Sequence, residues 1–212
     1  MKLPRVYPIL DLALLSSRGV PVVEAAEALL EAGARLIQLR SKTHLSREAL
    51  EQGESIAALC KQAAATLIVN DRADLAMLLD AGVHVGQDDL PPMHVRSIIG
   101  PGRLLGFSTH NEVQIRQGDL EPVDYLALGP IFGTSNKINP DPVVGTCELS
   151  RLRAMTKKPI VGIGGITREN ARHVWAAGAD SVAVIGDIYP AVCSKNAIRD
   201  RFKEWLMAAQ DE

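Results

Sequence analysis

Eight short apolar runs alternate with helix-patterned stretches along this chain, and five of the runs end on a polar cluster. The runs are Val6–Leu10, Arg35–Leu39, Thr66–Val69, Val83–Val85, Leu104–Phe107, Tyr125–Leu128, Ile160–Ile163 and Ser181–Ile185. Between them, apolar residues recur at helical spacing over Val22–Ala32, Arg47–Ala65, Leu75–Leu79, Val113–Gln117, Leu149–Met155 and Glu169–Ala177. Strands this short and this apolar suit a parallel sheet covered by helices. Eight units in 212 residues favour a closed (β/α)8 barrel, a TIM barrel, over an open sheet, and a single domain over residues 1–212. The active site of such a barrel is assembled from the loops that leave the C-terminal strand ends.

Local punctuation agrees with that alternation. Gly33, Gly82 and Gly178 each follow a helical stretch and precede a strand, where a left-handed cap is wanted. Ser46 and Thr167 stand where N-caps belong, with Ala49 in place of the acid of a capping box. The longest stretch without periodicity runs from Gly129 to about Thr146, a length that predicts a functional loop over the site.

Composition narrows the function. A formal net charge of −2, with both signs spread along the chain, argues against nonspecific nucleic-acid binding, so any anion site must be local. Cys60, Cys147 and Cys193 are too far apart for a zinc motif or a disulfide framework, which suits a reduced, cytoplasmic setting. No apolar run approaches the ~18 residues of a membrane span, and the start lacks a signal-peptide pattern. A soluble protein without nucleic-acid or membrane partners is expected. Phe202, Trp205, Leu206 and Met207 near the end offer an apolar face to the barrel or to a second copy in a homo-oligomer, with the barrel preferred.

The five clusters carry the chemistry. Gln38, Arg40 and Lys42 alternate, so at a strand end all three project to one side, toward the barrel mouth. A planar guanidinium beside a compact ammonium suits a diphosphate; the competing reading is a solvated basic rim. Asn70-Asp71 ends the third run and Asp88-Asp89 lies beyond the fourth. Neighbouring strands sit ~5 Å apart, so a carboxylate from each could share a cation, and Mg²⁺ takes such oxygen ligands together with substrate phosphates. Asp71 could instead cap the helix that follows, and Asp88 reads as a solvated loop acid. Gly162-Ile163-Gly164-Gly165 misses the dinucleotide fingerprint because Thr167 stands at the third glycine. Together with Gly186 after the eighth run, it suits a phosphate monoester held by backbone N–H groups. Ser108 is a candidate hydroxyl donor to phosphate, His110 a candidate for the mouth, and His84 reads as structural. His44, His84, His94, His110 and His173 show no metal-ligand spacing, and no nucleophilic triad can be assembled. Lys137 in the long loop reads as a phosphate neutraliser rather than a Schiff-base lysine.

Taken together, these residues resemble the thiamine phosphate synthase family from Arg35 to Ile188. The matching pieces are Q-L-R-S-K at 38–42, N-D-R-A-D-L-A at 70–76, V-H-V-G-Q-D-D at 83–89, G-F-S-T-H at 106–110, G-P-I-F-G-T-S-N-K at 129–137, N-P-D-P-V-V-G at 139–145 and G-I-G-G-I at 162–166. The resemblance implies a transferase that joins 4-amino-2-methyl-5-hydroxymethylpyrimidine diphosphate to 4-methyl-5-(2-phosphooxyethyl)thiazole through a pyrimidine carbocation. It implies that Gln38, Arg40, Lys42, Asn70, Ser108 and Lys137 hold the pyrimidine diphosphate, with Arg40, Lys42, Ser108 and Lys137 acting on the departing pyrophosphate. Asp71 and Asp89 would bind Mg²⁺, and Thr134, Gly165, Ile185 and Gly186 would hold the thiazole phosphate. Two positions depart from the family pattern: Asn136 stands where a second threonine is usual and Gly186 where a serine is often found. A thiazole tautomerase-like isomerase and a non-catalytic phosphometabolite-binding regulatory barrel are the alternatives. Both leave a diphosphate clamp beside paired acids without a use.

Overall fold

The computed structural model describes residues 2–42, 46–133 and 141–210. Eight parallel strands close into a barrel in sequence order: β1 (Val6–Asp11), β2 (Leu36–Arg40), β3 (Thr66–Asn70), β4 (Gly82–Val85), β5 (Leu105–Thr109), β6 (Tyr125–Leu128), β7 (Ile160–Ile163) and β8 (Ser181–Val184). Val6 pairs with Val182, which joins the last strand to the first. The helices are α1 (Leu12–Ser17), α2 (Val22–Ala32), α3 (Arg47–Gln62), α4 (Ala73–Leu78), α5 (Pro92–Ile99), α6 (Glu112–Leu120), α7 (Gly145–Arg153), α8 (Ala171–Ala176) and α9 (Lys195–Ala208), with a 3-10 turn at Gly186–Ile188. The barrel expected from the alternation is the fold observed.

The strand alternation builds two cores. One set of side chains packs outward under the helices, among them Val69, Val83, Leu126 and Val182. The other fills the barrel, where Tyr7, Ile9, Leu36, Ile68, Tyr125, Ala127, Val161 and Ala183 form a buried cluster. Climbing β1, β2 and β3 in steps of two from this interior set reaches Asp11, Gln38 and Arg40, and Asn70 toward the C-terminal end, and the same step from Gly82 and Gly106 reaches His84 and Ser108. Four strands run past their apolar stretch to include Asp11, Arg40, Asn70 and Thr109, because the ladder pairs backbone groups and is indifferent to side-chain polarity.

Several helix ends differ from the sequence reading. Helix α3 stops at Gln62 rather than Ala65, since Ala64 turns left-handed at φ 50° and the Ala65 amide reaches back to Cys60 O at 2.8 Å. Gly82 is not a cap: Asp80 takes the left-handed turn at φ 51°, and Gly82 lies inside β4, where a Cβ would meet Leu104 O at 2.6 Å. Gly33 and Gly178 do take left-handed turns at φ 110° and 102°. Ser46 caps α3 by accepting the Ala49 amide at 3.1 Å. Thr167 opens a turn instead of capping a helix, and α8 begins four residues later. Helix α1, six residues long, and α5, eight residues long and opening on Pro92, fall outside the stretches expected from spacing and emerge only in the structure. Helix α9 lies on α2, where Lys195 bridges Glu27 and Glu31 at 2.8 Å each. Phe202 and Trp205 are fully buried, Leu206 packs against the core, and Met207 stays exposed.

Candidate active site

The strand ends of β1 and β2 meet through their polar termini. Asp11 and Arg40 are paired in register, and the guanidinium donates to Asp11 Oδ2 while Oδ1 caps α1 by accepting the Leu14 amide at 3.0 Å. Two residues on, Lys42 Nζ lies 2.6 Å from Asp71 Oδ2. Asp71 has φ 64° and its amide donates to His84 O, so the turn after β3 throws the carboxylate back toward β2. The helix-cap reading of Asp71 is therefore excluded: Arg72 occupies the cap position of α4, and Asp71 pairs with Lys42 instead.

Asp89 folds back under its own loop to accept the Gly86 amide at 2.7 Å. Burial raises its carboxyl above the ordinary carboxylate range, and the neighbouring Asp71 carboxylate raises it further, against the pull of the Gly86 amide and Lys42. Among the described residues no three His, Cys, Asp or Glu side chains converge on one point. The donor set is a pair of mutually repelling carboxylates beside an ammonium, and that chemistry fits one hard cation whose remaining ligands are water and phosphate oxygen. Asn70, next to Asp71, has its Nδ2 buried with no hydrogen-bond partner among the described residues, a donor available to a ligand.

Beneath this rim Gln38 Nε2 donates to Tyr7 OH at 2.9 Å, and Ser108 Oγ lies 2.9 Å from His84 Nε2. Gln87 Nε2 also anchors the strand by donating to Ser108 O at 2.6 Å. Burial lowers the His84 pKa to about 4, against a smaller opposing pull from Asp89, so the ring is neutral. Burial likewise raises the Tyr7 and Tyr125 hydroxyls, which stay protonated. Asp11, Tyr7, His84 and Tyr125 are the residues at this site that sequence reasoning left out or read as structural. Register carried a signal for two of them: His84 and Tyr125 flank Gly106 in one row, and Gly106 leaves room for both rings.

On the opposite side, Gly164 and Gly165 follow β7 at φ 94° and 64°. A Cβ on Gly165 would stand 2.4 Å from Gly133 O, and Asn170 props the turn by donating to Gly165 O at 3.0 Å. Among the described residues the Gly165 and Gly186 amides donate to no backbone carbonyl. The turn carrying Ile185 and Gly186 is pinned by Arg168, which pairs with Asp187 at 3.1 Å, and by Arg201, which donates to Asp187 O at 3.0 Å. Residues 130–132 seat the long loop: Ile131 and Phe132 amides bond Ile163 O and Gly164 O, and the Val144 amide returns to Pro130 O at 2.8 Å. His110 does not face the mouth freely, since Nδ1 meets Gly129 O at 2.5 Å and Nε2 lies 3.6 Å from Asp141. Thr134, Asn136 and Lys137 lie outside the described residues. A separate cleft of about 530 Å³, lined by Lys2, Arg35 and Thr66 among others, opens at the N-terminal strand ends, away from all these groups.

Fold and polar constellation together define a (β/α)8-barrel enzyme with its site at the C-terminal mouth. The family model of thiamine monophosphate synthase matches residues 6–188, and the chain belongs to that family, whose enzymes are transferases. A thiamine-phosphate synthase of Koribacter versatilis is 48% identical over 191 residues, covering 89% of this chain and 90% of that protein. One from Moorella thermoacetica is 42% identical, covering 91% of each. The solved thiamine phosphate pyrophosphorylase of Pyrococcus furiosus superposes with a TM-score of 0.84 at 30% identity, covering 98% of this chain and 96% of its own. Among the described residues no helix is long and apolar enough to cross a membrane.

Proposed function

We propose that this chain, as one barrel domain, couples a pyrimidine diphosphate to a thiazole phosphate, giving thiamine phosphate and pyrophosphate. The observation that carries the reading is the meeting of Arg40, Lys42, Asp71 and Asp89 at adjoining strand ends, beside the Asn70 amide, whose Nδ2 has no partner among the described residues. Breaking a carbon–oxygen bond to diphosphate concentrates negative charge on the leaving group, and a site that stabilises that charge needs cations and donors rather than a nucleophile. Arg40 and Lys42 supply the fixed charges, Asn70 and Ser108 the neutral donors, and Lys137 a further ammonium from the long loop. Mg²⁺ held by Asp71 and Asp89 supplies additional charge neutralisation when bound. Lys42, whose ammonium lies 2.6 Å from Asp71 Oδ2, stands within reach of the same diphosphate. Gly165, Ile185, Gly186, Thr134 and Asn136 hold the thiazole phosphate opposite, so that its ring nitrogen meets the pyrimidine carbocation in line. The free thiols Cys60, Cys147 and Cys193 are in keeping with a cytoplasmic enzyme.

The test is thiamine phosphate formation from the two substrates, with and without Mg²⁺, beside Asp89→Ala. Mg²⁺-dependent product that falls at least about a hundredfold in the variant is expected. Isomerised thiazole phosphate without coupling would establish the tautomerase alternative. Thiazole phosphate binding with no turnover would establish a regulatory barrel.

A further inference from the structure

A continuous chain of hydrogen bonds crosses the inside of the barrel just below the mouth. Gln38 Nε2 donates to Tyr7 OH at 2.9 Å, the Tyr7 and Tyr125 hydroxyls are 3.2 Å apart, Tyr125 OH is 3.0 Å from His84 Nδ1, and His84 Nε2 is 2.9 Å from Ser108 Oγ. Its members come from five strands, β2, β1, β6, β4 and β5, and all but Ser108 are buried. Nothing in the charge chemistry at the rim requires such a chain.

The chain has a direction, and proton counting sets it. With the Gln38 amide turned so that its nitrogen donates, Tyr7 accepts there, and the only arrangement that leaves no buried hydroxyl proton unpaired sends the Tyr7 proton to Tyr125. Tyr125 accepts that proton and passes its own to His84 Nδ1. A neutral imidazole that accepts at one nitrogen carries its proton on the other, so Nε2–H donates to Ser108 Oγ. The proton of Ser108 cannot then point at His84 and is directed into the mouth. We infer that His84 is a positioning residue whose tautomer, set from Gln38 on the far side of the barrel, makes Ser108 a one-way hydrogen-bond donor toward an anionic substrate group.

The opposite direction would make Ser108 spend its proton on His84 and present only lone pairs to the mouth, which an ionised diphosphate oxygen repels. The fold also keeps a space for the relay. Gly106 is in register with both His84 and Tyr125, and a Cβ there would lie 2.1 Å from Tyr125 Cζ and 2.4 Å from His84 Nδ1. With that space open, the two rings stack at a centroid distance of 5.5 Å and an angle of 24°, which aims Nδ1 at the Tyr125 hydroxyl.

The assignment of an anion as the acceptor rests on the proposed function, whereas the direction of the chain does not. Imidazole ¹⁵N–¹H correlation spectra of the substrate-free protein read the tautomer directly. The proton is expected on His84 Nε2, and finding it on Nδ1 would overturn the inference whatever reaction the protein performs. The second arm is a double-mutant cycle on turnover. His84→Phe keeps the stacked ring without its nitrogens and is expected to lower kcat/KM for the pyrimidine diphosphate about tenfold, leaving KM for the thiazole phosphate unchanged. In a Ser108→Ala background the same substitution is expected to cost almost nothing. An equal loss in both backgrounds would show that His84 does not act through Ser108. Should His84→Phe fail to fold, the spectra of the wild-type protein still decide the matter, and a wild-type protein without coupling activity would count against the functional reading alone.

Discussion

One carboxylate, that of Asp11, holds both the start of α1 and the guanidinium of Arg40. Its Oδ1 accepts the Leu14 amide at 3.0 Å, and its Oδ2 accepts from Arg40 Nη1 across a register pair of β1 and β2. The cap and the ion pair thus share one nearly buried side chain, which fixes where the Arg40 fork points.

Asp11→Asn keeps an oxygen for the cap but removes the charge facing Arg40. A charge-assisted hydrogen bond is worth roughly 1.5–3 kcal/mol of stability, so the melting temperature is expected to drop by several degrees and kcat/KM for the pyrimidine diphosphate to fall about tenfold or more. Steady-state kinetics beside a melting curve check both halves. An unchanged kcat/KM would show that Arg40 needs no orienting partner.

Gly106→Ala places a methyl where Tyr125 and His84 already lie, 2.1 Å from Tyr125 Cζ. Backbone on both sides is tied into the sheet, so the rings must give way, at a cost of about 1–3 kcal/mol or more. The melting temperature is expected to drop, and the Tyr125–His84 hydrogen bond to be lost. A variant as stable as the wild type would contradict the packing described.

Protonation of His84 should also be visible in stability. In the fold its pKa is about 4, against 6.5 for the free side chain, so between these values the unfolded chain binds a proton that the native ring refuses. The stabilisation is complete above pH 6.5 and is lost as pH falls from 6.5 toward 4, in total on the order of 3 kcal/mol. Denaturant unfolding of wild type and His84→Phe at pH 7.5 and 4.5 should show their stability gap shifting in favour of the variant at the lower pH. A gap that does not move with pH would refute the assignment.

Gly165→Ala probes the turn proposed to hold the thiazole phosphate. The residue sits at φ 64°, and its Cβ would fall 2.4 Å from Gly133 O at the root of the long loop. Left-handed backbone and a backbone clash together cost roughly 1–3 kcal/mol, and the displaced turn should raise KM for the thiazole phosphate about tenfold. KM for the pyrimidine diphosphate, proposed to bind across the mouth, should stay within about twofold.

Most of the architecture was legible in the chain because barrel strands are short, apolar and regularly spaced, and all eight were placed to within about two residues at each end. What escaped were short elements and the turns between them. Helix α1 is a single six-residue stretch, α5 starts from a Pro91-Pro92 pair, and the left-handed turns at Ala64 and Asp80 use residues that do not announce them. The rim was legible for a similar reason: Gln38, Arg40 and Lys42 alternate at a strand end, and Asn70-Asp71 interrupts an apolar run. Asp11 and His84 went unrecognised because a strand hides the purpose of a polar residue until its neighbours across the sheet are known.

By itself, then, the sequence determined that eight βα units must close on one another, and that cations and carboxylates gather where strands end. Period-two patterning and residue chemistry are local properties and survive in a linear string. Only the tertiary structure decided that Asp11 orients Arg40, that Lys42 pairs with Asp71, and that Gln38 is linked to Ser108 through two tyrosines and a histidine. Those partners lie 24 to 118 residues apart in the chain. Their contact depends on barrel closure and register, which no local pattern specifies.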